Sequence, residues 1–200
     1  MRDWPLAFHM TFGTYGTRLH GDERSTVARP LNHFGQPFVE PDEIRQQFVF
    51  DSMIGNPLYL SAVQRIEIER IAPEICQRGG WDFHIAAAQP DHVHCLLSCR
   101  SEPKVARKLL KRWLSDHLTA NWALNHSPRW WADGGSGKYV WDEDYFRRAF
   151  EYIERQRATP WNHKSEPGCL SPVNSHTAKF TGIPRDSNDC PLHRPETGRL

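Results

Sequence analysis

Apolar positions first gather in residues 4–12 (WPLAFHMTF), which read as an opening strand, and turn-forming GTYGT and HGDE follow. No regular period then shows until about residue 58. A stretch of that length inside a domain is more often functional or disordered than mere connection. From Ser61 onward Ile68, Ile71, Ala72 and Ile75 recur at helical spacing, Gly79-Gly80 closes the run, and Pro73 predicts a bend within it. WDFHIAAAQ and HVHCLLS are short apolar runs separated by Pro90-Asp91, the pattern of an antiparallel strand pair joined by a tight turn. A second helix is expected from Ser101-Glu102-Pro103, with Ser101 as cap, to about Asn121, with Val105, Leu109, Trp113 and Leu114 facing a core. After RWWADGGSGKYVW, which supplies a further strand, a third helix is expected over about 143–157.

Strand, helix, strand, strand, helix, strand and helix is the order of an α+β fold of the ferredoxin-like kind, an antiparallel sheet with helices packed on one face. The expected organisation is one domain over 1–160, with a long irregular insertion over 13–58. The stretch 161–200 is expected to be a disordered tail, because it is rich in proline and has only scattered aliphatics. Composition narrows the classes. No run of 18 apolar residues is present and the N-terminus has no apolar leader, so the expectation is a cytoplasmic protein without a membrane span. Five cysteines without a CxxC spacing argue against a disulfide framework or a cysteine-rich zinc site, and a net charge of +1 means that any basic surface is local. Twenty-three of the 200 residues are aromatic, which leaves flat side chains to spare beyond a core.

The candidate chemistry centres on His92 and His94. In a strand, residues two apart leave the same face, so both imidazoles are presented together. An exposed histidine beside a satisfied core histidine is the bland alternative. A nucleotide hydrolase with alternating histidines would need a third at position 96, where the chain has Leu96. Cys95 and Cys99 suggest a mixed zinc site only weakly, because alternation sends Cys95 to the opposite face. Tyr152 and Gln156, four apart in a helical segment, are expected one above the other on one helix face, where a phenol and a carboxamide could meet the same ligand. On the second helix Lys104, Arg107, Lys108 and Lys111 form a basic stripe beside Arg112, either a solvated face or a surface for phosphates. Trp130, Trp131, Tyr139 and Trp141 could stack on unpaired bases or belong to the core.

DHVHCLL followed by KYVWDEDYFRRAFEYIERQ resembles the single-tyrosine HUH transposases, particularly the group of REP-associated tyrosine transposases. TFGTYGTRLHGDER and WWADGGSGKYVW resemble two further segments of that group, so the resemblance runs in order over roughly residues 6 to 157. It implies the HUH endonuclease fold, with His92 and His94 as metal ligands, Gln156 as the third ligand and Tyr152 as nucleophile. It also implies a single-stranded or hairpin DNA substrate, contacted by Lys104, Arg107, Lys108, Lys111 and Arg112, and a 5′-phosphotyrosine intermediate that permits strand transfer without ATP. Two imidazoles alone would suit Zn, Mn or Fe, whereas the resemblance implies Mg or Mn. The rival functions are a domesticated, non-catalytic binder of structured nucleic acid and a metal-dependent hydrolase that uses water. Monomer and homodimer both stay open.

Overall fold

The computed structural model describes residues 3–19, 42–124 and 126–158. In chain order the elements are β1 (Ala7–Gly13), α1 (Glu43–Asp51), α2 (Ala62–Arg78), β2 (Asp82–Ala88), β3 (His92–Ser98), α3 (Pro103–Asn121), β4 (Ser136–Val140) and α4 (Glu143–Glu154). The strands form one antiparallel sheet in the order β2-β3-β1-β4. With α2 and α3 as the two crossovers, this is the split βαβ arrangement of a ferredoxin-like α+β fold.

The central strands β1 and β3 carry apolar residues on both sides because helices cover one face of the sheet and part of the other. Phe8, Met10 and Phe12 of β1 and Val93, Cys95 and Leu97 of β3 face α2 and α3 and join the main core with Ile68, Ala72, Leu110, Leu114 and Leu118. Ala7 and Leu96 point the other way, where with Ile85, Ala87 and Val140 they are covered by Ala149, Phe150 and Ile153 of α4. The expectation of helices on one face therefore holds for α2 and α3, whereas α4 lies across the opposite face. The reason is that the second face carries its own apolar patch, which must be taken out of water. That patch is extended by a bulge in β2 at His84, which sends His84 and Ile85 to the same side.

Local signals explain most element ends. Ser61 and Gln64 close a reciprocal capping box at the start of α2, and Asp142 accepts from the main chain of Tyr145 at the start of α4. At α3 the expected cap fails: the N-cap is Glu102, with no side-chain bond, and Pro103 in the first turn fixes the start. Its buried stripe is Ala106, Leu110, Leu114 and Leu118; Leu109 and Trp113 pack at the margin, and Val105 is exposed. α2 continues through Pro73 to Arg78. α1 lies within the stretch where the sequence shows no period, and the cause is plain: it buries none of its residues, so no apolar face marks it. The expected tail beyond residue 160 lies outside the described residues, as does the part of the expected insertion between residues 20 and 41. Among the described residues no helix is long and apolar enough to cross a membrane.

Because Leu114 is 1% exposed at the centre of the α3 stripe and Val105 is 41% exposed, Leu114→Ala should cost about 2–5 kcal/mol in urea unfolding, while Val105→Ser should stay within about 0.5 kcal/mol.

Candidate functional site

α4 covers only part of its face of the sheet. The uncovered part is polar: His9 and Thr11 of β1 and His92 and His94 of β3 lie there, on the alternate positions of strands whose other side chains fill the main core. The register sets Thr11 opposite His94 and Gly13 opposite His92. The two rings of the His-x-His pair stand 4.7 Å apart and nearly perpendicular. Tyr152, in the last turn of α4, lies against His94 and His9, with ring centroids 5.4 Å and 6.1 Å away. Its side chain is 43% exposed. Tyr145, the other phenol of α4, instead packs against the apolar patch beneath the helix.

Each imidazole of the pair has one nitrogen committed. His92 Nδ1 lies 2.5 Å from the Asp91 carboxylate, which holds the ring and leaves Nε2 as its second polar atom. His94 Nδ1 lies 2.9 Å from Thr11 Oγ1 and 3.1 Å from His9 Nε2. Its Nε2 is buried and has no hydrogen-bond partner. A buried polar atom left without a partner costs free energy, so its persistence points to a group that binds there. If Nδ1 of His94 donates its proton to Thr11 or His9, Nε2 presents a lone pair, which is the state a metal ligand needs. Burial, helped by neighbouring His92 and His9, lowers the His94 pKa to about 3. Burial and nearby Lys138 lower that of His9 to about 4. Both rings are therefore neutral near pH 7, which leaves His94 able to act as a donor to a cation and His9 as its hydrogen-bond partner.

Two imidazole nitrogens with outer-shell partners fit a divalent cation that takes further oxygen donors. Among the described residues no three His, Cys, Asp or Glu side chains form a ready cluster, so a third ligand would come from another residue type. Gln156 is brought to this end of the sheet. α4 stops at Glu154 rather than near residue 157, and Gln156 sits in the following turn, its main-chain N–H on the Ile153 carbonyl. Its carbonyl accepts from the side chain of Gln89, whose own N–H donates to the His92 carbonyl. Cys95 faces the main core, away from the histidines.

No protein-family model and no curated protein matches the chain. Solved structures that are similar to it include two transposases. One is a REP-associated tyrosine transposase bound to a REP hairpin, at 9% identity and a TM-score of 0.40, covering 77% of this chain and 69% of that one. The other is a putative transposase from Deinococcus radiodurans, at 16% identity and a TM-score of 0.35, covering 79% of this chain and 95% of that one. What the site can do follows from its own side chains.

The five basic residues of α3 do not share the histidine face, because α3 packs on the other side of the sheet. They also divide. Lys111 Nζ donates to the carbonyls of Ala132 (2.5 Å) and Gly134 (3.2 Å), and burial foremost, then Arg107, lowers its pKa. Arg107 packs against Gly135, and burial lowers its pKa as well. These two hold the glycine-rich loop. Lys104, Lys108 and Arg112, spaced four apart, are exposed and make no ion pair with any described residue. Between the cationic helix and the histidines lies the β4 edge, where Gly135 adopts φ +119° and a Cβ would fall 2.6 Å from the Thr11 carbonyl. Of the four candidate stacking aromatics, Trp130 and Trp131 are buried, whereas Tyr139 and Trp141 are half-exposed and nearly parallel, 6.0 Å apart.

Sequence reasoning missed His9, Thr11 and Asp91. The available signal was a histidine and a threonine at alternate positions of an otherwise apolar strand, which places both on one face, and an acid directly before His92.

Buried neutral histidines make the metal-free protein sensitive to acid. The unfolded chain takes up protons near pH 6.5, whereas folded His9 waits until about pH 4. Its stabilising contribution is therefore present above pH 6.5 and is lost as pH falls from there to about 4. Urea midpoints should drop between pH 7 and 4.5, by the equivalent of at most about 3 kcal/mol for this one group, and His9→Leu should flatten the drop.

Proposed function

We propose that the chain is a DNA strand-transfer enzyme that binds single-stranded or hairpin DNA and cleaves it through Tyr152. The observation that carries the proposal is an exposed phenol standing over two buried, neutral histidines, His9 and His94, the second of which has a nitrogen without a partner. A nucleophile, the ligand nitrogen of His94 with His92 beside it, and access for a polymer meet at one place. The phenol oxygen of Tyr152 attacks the scissile phosphorus, a tyrosine O–P bond forms and the bond to the 3′-oxygen breaks. The phenol proton is given up and the departing 3′-oxygen gains one, leaving a 5′-phosphotyrosine and a free 3′-hydroxyl. Attack by another 3′-hydroxyl on the phosphotyrosine runs the same exchange backwards and joins strands. A divalent cation, Mg or Mn, held by His92, His94 and Gln156 would supply Lewis acidity toward the scissile phosphate and offset the charge that develops there.

Lys104, Lys108 and Arg112 provide the sequence-independent part of binding in this scheme. With the histidines on the other face, the strand passes around the β4 edge, where Gly134 and Gly135 offer no side chain and exposed Lys138 is close enough to influence His9. Charges that no described residue pairs suit a polyanion, since each phosphate neutralised releases condensed counterions.

Incubation of the protein with labelled single-stranded DNA from the sequence flanking its gene should give an adduct that survives a denaturing gel. Tyr152→Phe should abolish it with little loss of DNA binding or stability, because one oxygen is removed and the ring stays. A non-catalytic binder or a hydrolase using water would give no adduct in the native protein, and an adduct abolished in Tyr145→Phe but retained in Tyr152→Phe would reassign the nucleophile. EDTA, His92→Ala and His94→Ala should each stop cleavage while binding persists.

Replacing Lys104, Lys108 and Arg112 together by Gln should weaken binding and flatten the dependence of log K on log salt, by about 0.7 for each single-strand phosphate that is no longer neutralised. An unchanged slope would place the DNA on another surface.

A further inference from the structure

Glu69 lies in the middle of α2, on the side of the sheet opposite Tyr152, and is 1% exposed. A carboxylate at that depth is costly unless its oxygens are filled. Oε1 accepts from the main chain of Ala88 at 3.1 Å and of Ala158 at 2.8 Å, and Oε2 lies 3.7 Å from Nε of Arg157, whose side chain is 4% exposed. Arg157 in turn donates from Nη1 to the Ala86 carbonyl at 3.1 Å. The pair thus joins α2, β2 and the segment that follows α4.

β2 is an edge strand. Gln89 N–H pairs with His92, and with the antiparallel alternation Ala88 and Ala86 turn their main-chain groups outward. Glu69 and Arg157 occupy those outward groups, so the chain after α4 is wrapped around the sheet edge and fastened on its far side. α4 is capped at its start by Asp142 and rests on the sheet through Ala149, Phe150 and Ile153. Beyond its last turn, which carries Tyr152, the chain is fastened by this pair and by the bond from Gln89 to the Gln156 carbonyl.

We propose that the buried Glu69–Arg157 pair is a clamp that positions the Tyr152 phenol over His94 and His9 by fixing the end of α4 around the β2 edge. Both residues act through the end of the helix rather than on the reacting groups, and so are positioning residues. The proposal rests on Tyr152 being the nucleophile.

The test uses the full chain in single turnover at saturating labelled single-stranded DNA from its flanking sequence. Glu69→Gln keeps the shape and an acceptor but removes the charge. It should slow the rate constant of adduct formation about ten- to a hundredfold while the DNA dissociation constant moves less than about twofold, the split expected of a displaced reacting group. Arg157→Met should behave alike, and Arg157→Lys should recover much of the rate. Hydrogen exchange should accelerate in the 145–158 peptide and not in α3. A pair that merely shields the sheet edge would speed exchange and leave the rate constant unchanged, which would overturn the proposal, as would unchanged exchange at the end of α4. If Glu69→Gln does not fold, the Arg157→Met and Arg157→Lys comparison decides. If the native protein forms no adduct, the nucleophile reading fails, and the exchange measurement alone shows whether the clamp holds α4.

Discussion

The alternation of side chains along β1 and β3 is the constraint on which the rest of the molecule depends. Both strands are central, and from Val93 to Leu97 every residue of β3 is buried. A slip of one residue in either strand would exchange the faces, putting His94 into the main core and Cys95 beside Tyr152. Such a slip is strongly disfavoured because Phe8, Met10, Phe12 and Leu97, all at 1% exposure or less, would lose their packing together. The placement of Thr11 opposite His94 is a by-product of hydrophobic burial several residues away on the other side of the sheet.

The same economy governs the polar face. α4 covers the apolar end of that face and leaves the histidine end partly open, so His9 and His94 are dry enough to stay neutral while Tyr152 above them stays half-exposed. Desolvation favours the uncharged ring. The hydrogen bonds of Asp91 and Thr11 then decide which nitrogen of each ring stays available. Orientation comes from the strands and protonation from the cover.

Much of this was legible in the sequence because it follows short-range periodicity. His-x-His in an apolar run puts two rings on one face wherever the strand goes, and Ile68, Ile71, Ala72 and Ile75 mark a buried helix face whatever it packs against. What the sequence withheld depends on partners distant in the chain. Val105 sits at a helical spacing from Leu109 yet is exposed, because the core is reached by Ala106, a small residue that lets α3 approach the sheet. Lys111 and Arg107 read like their neighbours Lys104 and Lys108 and differ only because the glycine-rich loop returns beside them from more than twenty residues away. His9 stands 85 residues from His94, and no local pattern joins them. α1 left no trace because a helix that buries nothing has no face to write into the sequence.

Gly135 carries a consequence of a different kind. Its missing side chain leaves free a point that the Thr11 carbonyl and the side chain of Arg107 both approach, where a Cβ would come within 2.6 Å of one and 3.0 Å of the other. A side chain at position 135 would press on a carbonyl of β1 and on the Arg107 stem of α3 at once, so any residue larger than glycine there would disturb the sheet and the cationic helix together.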